Sequence, residues 1–449
     1  MKQRTVYICQ NCGGQSPRWS GKCGECGTWN SLVEEVQERK TTAAARRGGG
    51  TANVVTLGSV DASEAPRTPT GIEELDRVLG GGIVGGSVVL VGGDPGIGKS
   101  TLMMQMLLRM TKSKSLYVTG EESVKQVALR TGRLTDSVAE QIGICSETNI
   151  EIIATTIESY EPSVVIIDSI QTMALAALES GTGSVGQLRE CTALLMKIAK
   201  KNNIAMFLVG HVTKDGVIAG PKVLEHMVDC VLQFAGERTH AYRILRALKN
   251  RFGSTNEIGV FEMRENGLRE VPNPSELFLS ERRAGTAGCA VVATIEGTRP
   301  LLVEVQSLVT ASNFGTPQRT TTGFDARRTQ MLIAVLEKHV GARLGACDVF
   351  VNIAGGVQIS EPAADLGVAL AMISSFRNQP LDSDTLCIGE IGLAGEVRAV
   401  PYIDQRIAEA AKLGFKRILL PNANKKGAIS PKGVEVRGVG TLEEAAKLV

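Results

Sequence analysis

An α/β fold in several domains is predicted by three features of the sequence. The chain has 449 residues, which at ~150 residues per domain allows about two to four domains. Fifty glycines stand against two Trp, five Tyr and ten Phe, so tight turns are many and cores are built from Val, Ile, Leu and Ala. Between Thr70 and Glu270 the apolar runs SVVLVGG, SLYVTG, SVVIID and IAMFLVG alternate with helix-length segments, the pattern of parallel strands buried on both faces. Hydrophobic residues make up 43% and charged residues 21%, which excludes a disordered chain. Lysine and arginine total 49 against 47 acids, so any polyanion must meet a local patch. No run approaches the ~18 apolar residues of a membrane span, and MKQRTVYICQ lacks the apolar core of a secretory signal, so a cytoplasmic, non-membrane protein is expected.

Residues 1–35 hold two CxxC knuckles, Cys9/Cys12 and Cys23/Cys26, with ten residues between them. Four thiolates at this spacing can surround Zn²⁺ tetrahedrally. A redox role is the rival, but two copies without a βαβ pattern argue against it. The zinc either folds a module too small for its own core or also builds a docking surface, since Trp19 and Trp29, the only tryptophans, fall here. Residues 36–66, with ERKTTAAARR and GGG, read as a linker. Residues 67–271 form the large α/β domain, and residues 272–449, entered through two prolines, a second.

Within the large domain, Gly93-Asp94-Pro95-Gly96-Ile97-Gly98-Lys99-Ser100-Thr101 satisfies G-x-x-x-x-G-K-[ST] between an apolar strand and a helix, the context an ATP-binding loop requires. Backbone amides there wrap phosphates, Lys99 neutralises β/γ charge and Ser100 can ligate Mg²⁺. The strand VVIID ends in Asp168, placed to hold the Mg²⁺ hydration shell or to cap the next segment. The strand LYVTG ends in Glu121 and Glu122. One of them, Glu121 by preference, can polarise the attacking water, or both are solvated charges at a helix start. The strand IAMFLVG ends at His211, a structural histidine or a sensor of the γ-phosphate.

These motifs, with Lys249-Asn-Arg-Phe-Gly253, resemble the RadA (Sms) family of bacterial DNA repair proteins over nearly the whole chain. The resemblance implies a zinc-ribbon-like module, a RecA-like P-loop ATPase core with a parallel sheet, and a Lon-protease-like C-terminal α/β domain. It implies a DNA-dependent ATPase driving branch migration of D-loops and Holliday-type junctions as a hexameric ring on single-stranded and branched DNA. Expected partners are RecA recombinase and the replicative helicase DnaB. By position it assigns the catalytic glutamate to Glu121 with Glu122 beside it, the phosphate sensor to His211, and DNA-facing loops to 175–187 and 212–222, where Lys214 and Lys222 supply charge. Lys249 and Arg251 would lie at a subunit boundary and reach a neighbour's γ-phosphate, as an arginine finger does. Without the family match both read as solvated surface cations.

A Lon-type peptidase needs a serine nucleophile and a lysine base. The corresponding positions hold Asp365 and Asp404, so no peptidase activity is expected. The domain reads as a scaffold whose Arg319, Arg327 and Arg328 either face DNA or are ordinary surface charge. Two rival functions share these features: a KaiC-like regulatory ATPase that needs no DNA, and a zinc adaptor that loads a replicative helicase.

Overall fold

The computed structural model describes residues 3–9, 14–25, 27–38, 66–135, 140–178, 180–210, 222–235, 242–312 and 315–449. They belong to two compact units that divide after Glu270. The chain opens with a three-stranded antiparallel sheet of β1 (Gln3–Cys9), β2 (Gln15–Ser16) and β3 (Leu32–Glu38), in the order β2-β1-β3. A short ladder of β4 (Arg67–Thr68) and β5 (Ile83–Val84) brackets α1 (Glu73–Leu79).

The large sheet is built from β6 (Val88–Gly92), α2 (Lys99–Arg109), β7 (Ser115–Thr119), α3 (Val124–Thr131), β8 (Ile142–Ser146) and α4 (Ile150–Tyr160). It continues through β9 (Val164–Asp168), α5 (Val185–Asn202), β10 (Ala205–Val209), α6 (Lys222–Met227) and β11 (Cys230–Ala235). Then β12 (Tyr242–Asn250), β13 (Ile258–Arg264) and β14 (Gly267–Glu270) complete it. The order is β14-β13-β12-β11-β6-β10-β9-β7-β8. The pairs from β11 to β8 are all parallel, as the apolar runs require. Alternate residues of β6 enter different cores: Val89 and Val91 pack with Leu102, Met103 and Met106 of α2, and Val88 and Leu90 with Ile153 of α4 and Leu188 of α5. The antiparallel extension through β12, β13 and β14 has a different cause. Residues of β12 alternate between buried and half-exposed, the signature of a sheet covered on one side, here by α1.

Helix starts are fixed locally. Ser123 and Gln126 close a capping box on α3, and Asn149 and Ser184 cap α4 and α5, each satisfying amides that the first turn leaves unpaired.

The second unit holds α7 (Pro274–Leu279), β15 (Cys289–Glu296), β16 (Arg299–Ala311), β17 (Arg319–Thr322), α8 (Ala326–Val340), β18 (Cys347–Ile353) and α9 (Asp365–Arg377). Beyond these come β19 (Thr385–Cys387), β20 (Glu390–Ile391), β21 (Val397–Arg398), α10 (Ile403–Lys412), β22 (Arg417–Pro421), α11 (Asn422–Lys425), β23 (Glu435–Val439) and α12 (Leu442–Ala446). Its main sheet has the order β17-β18-β16-β15-β19-β22-β23. Helix α9 lies so close to β15 that a Cβ on Gly367 would fall 2.2 Å from Val292 Cγ1. Among the described residues, no helix is long and apolar enough to cross a membrane.

Candidate nucleotide site, strand-end acids and cysteine module

The loop 93–98 turns sharply between the buried end of β6 and the first residue of α2, with φ of +153° at Gly93, +78° at Gly96 and +113° at Gly98. At Gly93 a side chain is excluded twice over, because its Cβ would also lie 2.9 Å from Phe234 Cβ. Lys99 opens α2 and is only 4% exposed. Its Nζ donates to Gly93 O at 2.7 Å and to Asp94 O at 2.9 Å. Burial pulls its pKa down to about 8, against the upward pull of Asp168, Asp94 and Glu121. Those three carboxylates therefore stand within electrostatic reach of one ammonium. Residues Asp94, Pro95 and Gly96 of the loop are exposed, Ile97 is buried in the core beside α2, and Ser100 and Thr101 are half-exposed.

The acids come from neighbouring strand ends. Strand β9 lies between β10 and β7, so Asp168 and the Gly120–Ser123 turn emerge side by side. A Cβ at Gly120 would fall 2.0 Å from Thr172 Oγ1, and Gly120 N donates to Asp168 O at 2.9 Å. Only glycine lets the turn sit this close. Glu121 is exposed and its Oε1 accepts from Ser169 Oγ at 2.6 Å. Glu122 takes a different partner: Arg130 Nη2 donates to its Oε2 at 2.7 Å. Asp168 Oδ2 accepts from the buried Tyr117 Oη. The Asp168 carboxylate and the Ser100 hydroxyl are oxygen donors of the kind a hard cation such as Mg²⁺ takes. Strand β10 ends at Val209 between β6 and β9; His211 and Lys214 lie outside the described residues. Lys222 begins α6, and its side chain also lies outside them.

The structure ties down groups that sequence alone left as free charge. Lys249 Nζ donates to Glu225 O at 2.8 Å, His226 O at 3.1 Å and Val228 O at 2.7 Å, closing the C-terminal end of α6. Arg251 pairs with Asp229 at 3.2 Å, and the other oxygen of Asp229 accepts from Val88 N at the start of β6. Asn250 Nδ2 donates to Val78 O and Leu79 O at the end of α1. The KNRFG segment thus sits at the opposite end of β6 from the phosphate loop. In the 175–187 segment, buried Gln187 donates to the carbonyls of Leu175, Leu178 and Ser180, and 181–183 are exposed.

In the second unit Arg319 and Arg327 are exposed. Arg328, grouped with them as a candidate DNA contact, instead turns inward. Its Nε and Nη2 each donate to Asp365 at 2.5 Å, and Ile391 N adds a third bond at 3.1 Å. Asp365 is fully buried, and burial pushes its carboxyl above the usual range while the guanidinium pulls it back. A bidentate pair consumes the charge that a phosphate would need, so the expectation for Arg328 is corrected. Asp404 Oδ1 accepts from Ile429 N at 3.2 Å.

At the N-terminus, Cys9 and Cys23 are buried together with Leu32 in one small cluster. The first cysteines of the two knuckles thus converge, as a shared metal requires. Cys12 and Cys26 lie outside the described residues.

Three family models match in chain order. Residues 7–34 match a zinc-ribbon model described as a rubredoxin metal-binding domain, residues 68–140 a KaiC ATPase model, and residues 311–424 a model of subunit ChlI of Mg-chelatase. Among curated proteins, the DNA repair protein RadA of Halalkalibacterium halodurans is 53% identical over 452 residues, covering 100% of this chain and 99% of that protein. This chain belongs to the RadA family of DNA repair proteins. RadA of Bacillus subtilis is 53% identical over 99% of this chain and 98% of its own length, and RadA of Listeria monocytogenes 52% over the same shares. As a RadA-family member the chain carries an ATPase domain and a zinc-ribbon domain. The residues that sequence reading missed in this RadA-family site are Tyr117, Arg130 and Ser169. A signal existed for two of them: Tyr117 interrupts an apolar strand with a hydroxyl, and Arg130 falls three residues after Val127, on the buried face of α3.

Proposed function

We propose that this chain is a DNA-dependent ATPase that drives branch migration of D-loops and Holliday-type junctions as a ring-shaped, hexameric motor on single-stranded DNA. The observation that supports it is the placement of Lys249 and Arg251. They lie a full strand away from Lys99 in their own chain, about 16 Å by the rise of five residues. Cations so placed are of no use to their own nucleotide and suit a neighbour's, which makes the triphosphate an assembly ligand.

In this reading Lys99 and the loop amides hold the phosphates, Ser100 and Asp168 hold Mg²⁺, and Glu121, set by Ser169, orients the attacking water. Bound Mg²⁺ supplies neutralisation of charge developing on the β- and γ-oxygens. His211 senses the γ-phosphate. Lys249 trades its α6 carbonyls for the neighbour's phosphate, and Arg251 supports it. Cys9, Cys12, Cys23 and Cys26 hold Zn²⁺; Lys214, Lys222, Arg319 and Arg327 meet DNA; RecA and DnaB are the partners that recombination implies.

The test is ATP turnover with and without single-stranded DNA, paired with branch extension on a synthetic three-strand junction. Stimulation by DNA and extension lost in Lys249→Ala and Arg251→Ala are the expected results. Turnover indifferent to DNA would favour a KaiC-like regulatory ATPase, the second reading, which the KaiC match over residues 68–140 favours.

A further inference from the structure

We propose that Tyr117 and Arg130 are positioning residues of the nucleotide site, joining Asp168 and Glu122 in one hydrogen-bonded chain that fixes the metal-holding carboxylate. The proposal rests on the reading of Asp168 as the Mg²⁺ residue. Tyr117 stands in the middle of β7 with its side chain fully buried, and its hydroxyl donates to Asp168 Oδ2. Arg130 reaches in from α3, where Nη2 donates to Tyr117 Oη at 3.1 Å and to Glu122 Oε2 at 2.7 Å. Its guanidinium also lies 5.8 Å from the centre of the Tyr117 ring. Along the chain a carboxylate, a hydroxyl, a cation and a second carboxylate follow one another, so each group faces one of complementary polarity.

One observation separates this from ordinary packing. Arg130 Nε and Nη1 are buried with no hydrogen-bond partner among the described residues. A guanidinium placed only for packing would be replaced at little cost by an apolar side chain, because leaving buried donors unmet is unfavourable. The adjacent acids are thereby divided: Glu121 is set by Ser169 from the end of β9, while Glu122 is neutralised by Arg130 and acts only through it. A carboxylate near a metal owes its orientation to such outer partners, whose loss typically costs about 10- to 100-fold in metal affinity or activity.

The test uses the full chain and the affinity of a non-hydrolysable ATP analogue, measured with Mg²⁺ and again in EDTA, alongside ATP turnover and thermal unfolding. The wild type is expected to bind more tightly with Mg²⁺. Tyr117→Phe and Arg130→Gln should each lose about tenfold of that gain, with EDTA affinity held within about twofold. The double variant should be no worse than the worse single one, since both cut the same chain. Arg130→Lys keeps a cationic donor that can serve Tyr117 and Glu122 as the single Nη2 does, and should recover part of the gain that Arg130→Gln loses. A full Mg²⁺ gain in Tyr117→Phe or in Arg130→Gln, or equal losses with Mg²⁺ and in EDTA, would overturn the proposal. Lys99→Ala serves as the control for the reading beneath it. If the wild type binds the analogue no better than Lys99→Ala, the nucleotide site itself falls and this chain with it; if they differ while Tyr117→Phe matches the wild type, only the positioning role falls.

Discussion

Lys99 and Asp365 each open a helix, α2 and α9, and each is buried, at 4% and 0% exposure. Their surroundings differ in kind. Asp365 sits where the helix dipole favours an anion and is met by a two-pronged guanidinium and a backbone amide. Lys99 is a cation at a helix N-terminus, against the dipole, held by loop carbonyls and pulled by burial to a pKa of about 8. One arrangement has closed its charges on each other. The other keeps a buried cation beside amides that point the same way, which is stable chiefly in the company of an anion. The contrast distinguishes a structural pair from a binding site more sharply than burial does.

The steepest loss should follow a change at the first site. Lys99→Ala should lower ATP turnover by about 10²-fold or more, as loss of a phosphate-clamping charge does, with the unfolding midpoint unchanged or raised. A midpoint that falls steeply would mean that Lys99 belongs with Asp365 as a structural charge. The second unit should behave in reverse. Arg328→Ala leaves Asp365 buried alone and should cost about 3–5 kcal/mol of stability in denaturant unfolding, with ATP turnover intact. Replacing both by Met and Leu should restore stability, because it removes both charges.

Titration offers a finer test. Lys99 is protonated in the free protein below about pH 8, and a triphosphate prefers the cation. Nucleotide affinity should therefore be flat below that value and fall about tenfold per pH unit above it. Stability has the opposite sign. Between pH 8 and 10.5 the unfolded chain binds more protons than the folded one, so the cost of burying this ammonium is fully present below pH 8 and is relieved as pH rises through that window. Lys99→Arg should abolish both dependences. The smallest effect distinguishes two neighbours on α8: Arg327→Ala should weaken single-stranded DNA binding a few-fold and lower its salt slope by about 1, without touching stability. Equal effects from Arg327→Ala and Arg328→Ala on DNA would erase the distinction between a paired and an exposed arginine.

Much of the site was legible because its parts are local. The loop 93–101, the apolar strands ending in Asp168 and Glu121, and the two CxxC knuckles each follow from residue type and short spacing. What escaped lies across the fold. Tyr117 and Asp168 are 51 residues apart, and Arg328 and Asp365 are 37 apart, so no window along the chain relates them. Arg327 and Arg328 look alike in sequence; the step of roughly 100° between neighbours on a helix leaves the first exposed and turns the second onto Asp365. Lys249 reads as a surface cation, yet it closes the end of a helix 21 to 24 residues before it.

The α/β class, the phosphate loop and the cysteine spacing follow from residue order alone, because side-chain period, glycine freedom and ligand spacing act over a few residues. Which charges are engaged and which stand ready follows from packing, because a charge's state depends on what comes within a few ångströms of it, and packing brings those groups from distant strands.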